Sequence, residues 1–220
     1  MWWPAWLRMP ASLPKFPEPP LTLDRVRPEW HELPADTVLW RLYVRGGPHP
    51  SLWGGFRHFG PVGAARFDHH LPPPHTQERA VQYAALDVPT CIAEAFQATR
   101  TIDRTRRTPW LVGFRTTAPL RLLDLHSAWP TRAGASMALC SGRRDRARRW
   151  SQAVYTAYPT ARGLWYPSSM YAARPCVALY ERAQDAMPAR PSLHLALADP
   201  RLDTPLQHVA VDISYRLAGR

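Results

Sequence analysis

Regular alternation of apolar and polar positions begins at Val38. In VLWRLYVR, Val38, Trp40, Leu42 and Val44 fall on one side and Leu39, Arg41, Tyr43 and Arg45 on the other. This period of two predicts a strand over Val38–Arg45 with an apolar face and a face carrying two arginines. AVQYAAL places Val81, Tyr83 and Ala85 on one side and predicts a second strand, Val81–Leu86. Asp87 then suits an N-cap and Pro89 the first helical turn, so a helix is expected from Val88 through CIAEAFQAT to near Arg100. WLVGFR (Trp110–Arg115) and LRLLDL (Leu120–Leu125) predict two strands joined by a turn at Ala118–Pro119. A basic helix is expected from about Arg143 to Tyr158, stopping before Pro159. Cys176–Tyr180 predicts another strand. The last, His208–Leu217, rests on the alternation of Val209, Val211, Ile213, Tyr215 and Leu217.

Proline and glycine punctuate this pattern. Pro14, Pro17, Pro19, Pro20, Pro28 and Pro34 deny residues 1–36 a regular helix and discourage a strand, so an extended arm is expected there, followed by one domain over 37–220. Gly46, Gly47, Pro48, Gly54 and Gly55 mark a loop, and GAARFDHHLPPP a long irregular connection. Helices and strands mix without a βαβ rhythm, which points to an α/β chain of the α+β kind. No fixed-period repeat, GxGxxG or GxxxxGK[ST] occurs, so neither a Rossmann nor a P-loop site is indicated.

Composition adds bounds. A hydrophobic fraction of 45% is ordinary for a folded soluble domain, and no apolar run is long enough to span a bilayer. The first twenty residues lack a basic start followed by an unbroken apolar segment, so they do not read as a signal peptide. Cys91, Cys140 and Cys176 are odd in number and widely spaced, consistent with buried thiols in a reducing, cytoplasmic setting. The net charge of +11 is carried almost wholly by arginine, Lys15 being the single lysine. Such a balance suits nucleic acid, an acidic partner or a phosphate-bearing ligand, and does not choose among them.

Candidate chemistry sits at separated positions. Glu94 lies between Ile92–Ala93 and Ala95–Phe96, an apolar setting in which a carboxylate needs a partner or a task. Tyr83 precedes it by eleven residues, across a strand-to-helix step. Arg41 lies on the first strand, Arg66 in GAARF, and Ser168–Ser169 in GLWYPSS. Each alone has a bland reading: a surface glutamate, a core tyrosine, an arginine at a sheet edge, a turn serine after Pro167.

In order, LWRLY, GAARF, YAALDVPTCIAE, GLWYPSS and CVALY resemble the RES family, named for its Arg, Glu and Ser, over about residues 37–182. The resemblance implies an ADP-ribosyltransferase-like fold whose mixed and antiparallel strands surround a cleft for NAD⁺. It implies an enzyme that breaks the nicotinamide–ribose bond by hydrolysis or phosphorolysis, and a toxin held in check by a protein antitoxin. NAD⁺ would be substrate rather than cofactor, with inorganic phosphate as a candidate co-substrate. Glu94 would face the oxocarbenium-like ribose, Arg41 and Arg66 would clamp the pyrophosphate, Tyr83 would stack on nicotinamide, and Ser168 would orient the ribose side. The YPS match favours Ser168 over Ser169. Tyr43 and Tyr166 are further cleft candidates. The proline-rich arm and the tail after Arg182 stand outside the family pattern. The acceptor (water, phosphate or a macromolecule, the last making the chain an ADP-ribosyltransferase) and homo-oligomerisation stay open.

Competing readings are weaker. RTIDRTRR (Arg100–Arg107) and RRDRARR (Arg143–Arg149) would serve a nucleic-acid-binding protein, but no RRM, KH or zinc-finger signature accompanies them. The ten tryptophans are not interleaved with these arginines, so no stacking platform is formed; both runs read as solvated outer surface. Asp68, His69, His70 and His75 cluster, but LPPP excludes the helical spacing a metal site commonly uses, and no metal is expected. His58, His126, His194 and His208 stand singly, and a serine hydrolase lacks its GxSxG elbow.

Overall fold

The structure is a computed structural model, and it describes residues 14–219. Among the described residues eleven strands form: β1 Trp30–Leu33, β2 Val38–Val44, β3 Arg57–Gly60, β4 His75–Ala85, β5 Thr101–Asp103, β6 Pro109–Arg115, β7 Leu120–Asp124, β8 Gly163–Pro167, β9 Pro175–Tyr180, β10 Leu193–Ala196 and β11 Arg216–Ala218. The helices are α1 Val88–Ala95, α2 Trp129–Arg132, α3 Ala138–Ser141, α4 Arg144–Ala157 and α5 Asp203–Asp212. Among the described residues, no helix is long and apolar enough to cross a membrane.

Nine strands make one mixed sheet in the order β1-β7-β8-β9-β4-β2-β6-β10, with β3 on β4. Only β7 and β8 pair parallel within it; β5 and β11 form a separate parallel pair. The two halves of the large sheet meet between β4 and β2 at a single pair, Trp40↔Ala85. By contrast β2 pairs with β6 along its whole length, Val38↔Arg115 to Val44↔Pro109. The fold class is therefore the expected mixture of helix with a mixed sheet.

Both faces of the sheet are covered. Along β9, Cys176, Ala178 and Tyr180 enter one hydrophobic cluster and Val177 and Leu179 the other. The larger cluster takes α4, which buries Ala147, Trp150, Ser151 and Val154 at helical spacing. α1 begins as its residues dictate: Pro89 occupies the first turn, and the Asp87 carboxylate accepts from the Thr90 amide at 2.8 Å.

Three expectations need correction. His208–Leu217 is not a strand: Leu206, Val209 and Ala210 are buried at helical spacing in α5, Val211 is 80% exposed, and only Arg216–Ala218 is extended. The arm is not wholly irregular, because Trp30–Leu33, between Pro28 and Pro34, pairs with β7; residues 1–13 of the expected arm lie outside the described residues. The arginine-bearing face of β2 is not polar, since Leu39 and Tyr43 are its buried positions and Trp53 and Phe56 of the following loop pack there. A loop folded back over a central strand removes the solvent that the pattern assumed.

Candidate functional site

β2, β4, the loop Val62–Arg66, α1 and the start of α4 enclose a cavity of about 360 Å³. Its inner wall is apolar, built from Trp40, Leu42, Ala85 and the three cysteines Cys91, Cys140 and Cys176. Burial pushes these thiols up, Cys91 and Cys140 to about 12, so they are neutral, unreactive wall at physiological pH. Against this wall stand four arginines, Arg41, Arg57, Arg66 and Arg144, and one carboxylate, Glu94. A concave apolar pocket with a few convergent polar groups and an excess of cations suits an anionic ligand with a flat apolar part.

Glu94 is placed by the last turn of α1. Its Oε1 accepts from the Ser168 hydroxyl at 2.6 Å. Ser168 is itself buried at the end of β8, where its Oγ accepts from the amides of Met170 and Tyr171, each at 3.1 Å. The serine oxygen is thus saturated by two donors, and its proton is committed to Glu94. Ser168 orients the carboxylate from behind; the serine that lines the cavity is Ser169. On the other side the Gln97 amide donates to the Glu94 carbonyl at 2.9 Å and approaches Oε2 at 3.4 Å.

The arginines are held differently. Arg41 Nη1 donates to the carbonyls of Trp53 at 3.0 Å and Gly55 at 2.8 Å, binding the loop after β2 to the strand. Burial lowers its guanidinium to about 10, which still leaves it charged at neutral pH. Arg66 Nη1 donates to the Gly142 carbonyl at 2.6 Å; burial first, and then the nearby charge of Arg144, bring its guanidinium below the ordinary range. Arg57 Nη2 is paired with Asp68 at 2.9 Å.

Tyr83 and Tyr166 reach the cavity from β4 and β8, the strands on either side of β9, Tyr166 packing against Phe67 at a ring separation of 4.7 Å. The Tyr83 hydroxyl is buried without a side-chain hydrogen-bond partner among the described residues, and burial raises its pKa. Of the residues singled out from sequence, then, Arg41, Arg66, Tyr83, Glu94 and Tyr166 converge on one cavity. Ser168 stands behind Glu94. Tyr43 does not join them: further along β2 it is buried in the smaller hydrophobic cluster, its hydroxyl 2.5 Å from His194 Nε2. Arg57, Gln97 and Arg144 line the cavity without having been singled out, and Ser169, set second to Ser168 from sequence, lines it too. Gln97 was detectable, since three residues after Glu94 on a helix puts it on the same face. Arg144 was hidden in a run expected to be outer surface; the run splits because α4 begins at the cavity.

The Asp68–His70 stretch is a buried ion network beneath the loop Val62–Arg66. Asp68 Oδ2 accepts from Arg57 and from the Val62 amide at 2.7 Å, Oδ1 pairs with His70 Nδ1, and His69 Nε2 lies 3.4 Å from Glu181. Among the described residues, no three His, Cys, Asp or Glu side chains are grouped to hold a metal. Burial alone would raise Asp68, but His70, Val62 N–H and Arg57 together bring it to about 2; Glu181 is likewise brought to about 2, and burial lowers His69. All three groups bind protons more weakly folded than unfolded, so stability should fall as pH falls. The loss should begin near the ordinary histidine value of about 6.5 and steepen from about 4.5 to 2, Asp68 alone contributing about 2 kcal/mol. Thermal melts between pH 8 and 3 measure this, and a melting temperature flat below pH 6 would contradict the network's role.

A family model described as the RES domain matches residues 38–203, extending beyond Arg182 into the tail that the motifs leave out. Among solved structures, the M. tuberculosis MbcT–MbcA toxin–antitoxin complex contains a similar chain, at 17% identity and a TM-score of 0.56, over 85% of this chain and 96% of that one. At that identity the likeness speaks to the fold. The chain matches no curated protein.

Proposed function

The chain belongs to the RES-domain family, and from that membership we propose that it degrades NAD⁺ by breaking the bond between nicotinamide and ribose. One observation carries the reading: a single carboxylate, Glu94, fixed by Ser168 at 2.6 Å, faces a cavity otherwise furnished with arginines. NAD⁺ presents the matching chemistry. Its nicotinamide is cationic and leaves without a strong acid, its ribose passes through an oxocarbenium-like state, and its diphosphate is anionic.

Glu94 stabilises the positive charge that grows on the ribose, where a preorganised group acts most strongly. The Ser168 hydroxyl and its two backbone donors hold that carboxylate in one rotamer. Arg66 and its neighbours bind the diphosphate by charge-assisted hydrogen bonds. Tyr83 offers the nicotinamide side a ring. Water or inorganic phosphate then takes the ribosyl carbon.

The toxin role and its protein antitoxin belong to the same proposal, supported by the family and by the similar chain lying in a toxin–antitoxin complex. The nucleic-acid reading loses its footing on α4. Arg146 is spent on the Phe16 carbonyl, Arg149 on Glu18, Arg148 on the Gly63 carbonyl and Arg143 on Asp145.

Purified protein incubated with NAD⁺, with and without phosphate, tests the reading. Release of nicotinamide together with ADP-ribose, or with its 1″-phosphate when phosphate is present, is expected. Intact NAD⁺ after incubation with folded protein would overturn it.

A further inference from the structure

We infer that Arg144 is a ligand-binding arginine for the diphosphate, and that Gln97 is a positioning residue which keeps Arg144 and Glu94 from neutralising each other. The inference rests on the NAD⁺ reading and adds two residues to it.

Arg144 differs from its neighbours in what it touches. At the N-cap of α4 Arg143, and within the helix Arg146, Arg148 and Arg149, are each committed to a carboxylate or a backbone carbonyl. In the cavity, Arg57 pairs with Asp68, while Arg41 and Arg66 hold backbone carbonyls. Arg144 is exposed at the cavity mouth and meets no carboxylate among the described residues. Its one hydrogen bond there, from Nη2, goes to Gln97 Oε1 at 2.8 Å. It lies close enough to Arg66 to lower that guanidinium. Two guanidinium groups side by side repel unless an anion lies between them, and a diphosphate supplies two charges with forked acceptors.

Gln97 explains how such an arginine survives beside a carboxylate. Its Oε1 accepts from Arg144 while its Nε2 donates to the Glu94 carbonyl at 2.9 Å and faces Oε2 at 3.4 Å. A carboxamide alone among the common side chains offers a carbonyl to a cation and an N–H to an anion at once. Interposed, it holds the pair one amide apart. Without it, Arg144 can close onto Glu94 as a direct ion pair, and both charges are lost to the substrate.

The first test is calorimetric binding of NAD⁺ to Glu94→Gln protein, in which turnover is suppressed. Adding Arg144→Ala should weaken the Kd about tenfold or more, the scale of a lost charge-assisted contact. Adding Arg201→Ala, an exposed arginine paired with Asp199, should leave it unchanged. An unchanged Kd for the Arg144 variant overturns the inference while leaving the NAD⁺ reading intact; no NAD⁺ binding by any variant, nor by wild type, overturns both. The second test is kinetic, with Glu94 present. Gln97→Ala should lower kcat about tenfold, and adding Arg144→Ala to it should restore most of that kcat while KM stays high. Such a sign reversal is expected only if the arginine collapses onto Glu94. Additive losses in kcat would reject the positioning role of Gln97.

Discussion

Glu94→Gln protein should release nicotinamide from NAD⁺ about 10²–10³-fold more slowly than wild type, the usual cost of removing one preorganised electrostatic contact. The substitution is nearly isosteric. The amide oxygen can still accept from Ser168, at the position where Oε1 now lies 2.6 Å away. Gln97 keeps its shorter bond, 2.9 Å to the backbone carbonyl of residue 94, and yields only the 3.4 Å approach to Oε2. Folding should therefore be preserved, as circular dichroism and a thermal melt would record, and the loss should fall on kcat. Full cleavage by a folded variant would remove Glu94 from the mechanism even with the fold unchanged.

Arg41→Ala should be the most damaging single change to an arginine of the cavity, and through the fold as much as the ligand. Arg41 Nη1 satisfies the carbonyls of Trp53 and Gly55. Gln82 also reaches Trp53, at 3.2 Å, but stands 3.5 Å from Gly55, so truncation leaves the Gly55 carbonyl poorly paired beneath the loop. With charged hydrogen bonds contributing about 1.5–3 kcal/mol each, the expected cost is about 3 kcal/mol. For a chain of this size that is a fall of roughly 6–12 °C in melting temperature. Turnover should not recover at high NAD⁺, because the wall is displaced along with the charge. A variant that melts like wild type and regains full kcat at saturation would mark Arg41 as a simple phosphate contact instead.

Legibility in the sequence followed local physics. Asp87 and Pro89 announce α1 because capping needs only near neighbours, and the convergence of Arg41, Arg66, Tyr83 and Glu94 was visible as an order of motifs. The failures come from context. The stretch before Ile213 supports both periods: Val209, Val211 and Ile213 alternate, while Leu206, Val209 and Ala210 repeat at helical spacing, and packing against α1 decides for the helix. Pro28 and Pro34 delimit β1 rather than abolish it, since neither lies within Trp30–Leu33. The start of β4, His75 to Arg79, is polar and largely exposed, so it shows no apolar face, and only its pairing with β3, at Phe59↔Thr76 and Gly60↔His75, defines it. Tyr43 shares the parity of Arg41, yet which end of a strand meets a cavity is a tertiary fact. Ser168 and Ser169 divide the work of support and lining, a division that adjacent identical residues cannot display.

Gly142 ties two apparently separate parts of the molecule to one peptide. Its carbonyl anchors Arg66 of the cavity, and the Phe16 ring of the proline-rich segment rests against its Cα side. A Cβ at this position would meet the Ala138 carbonyl oxygen at 2.6 Å and Phe16 Cδ1 at 3.0 Å. Any larger residue must lift the aromatic ring or unwind the end of α3, and either movement drags the Arg66 anchor with it. The N-terminal segment is therefore mechanically in series with the ligand wall: loosening one cannot be confined from the other.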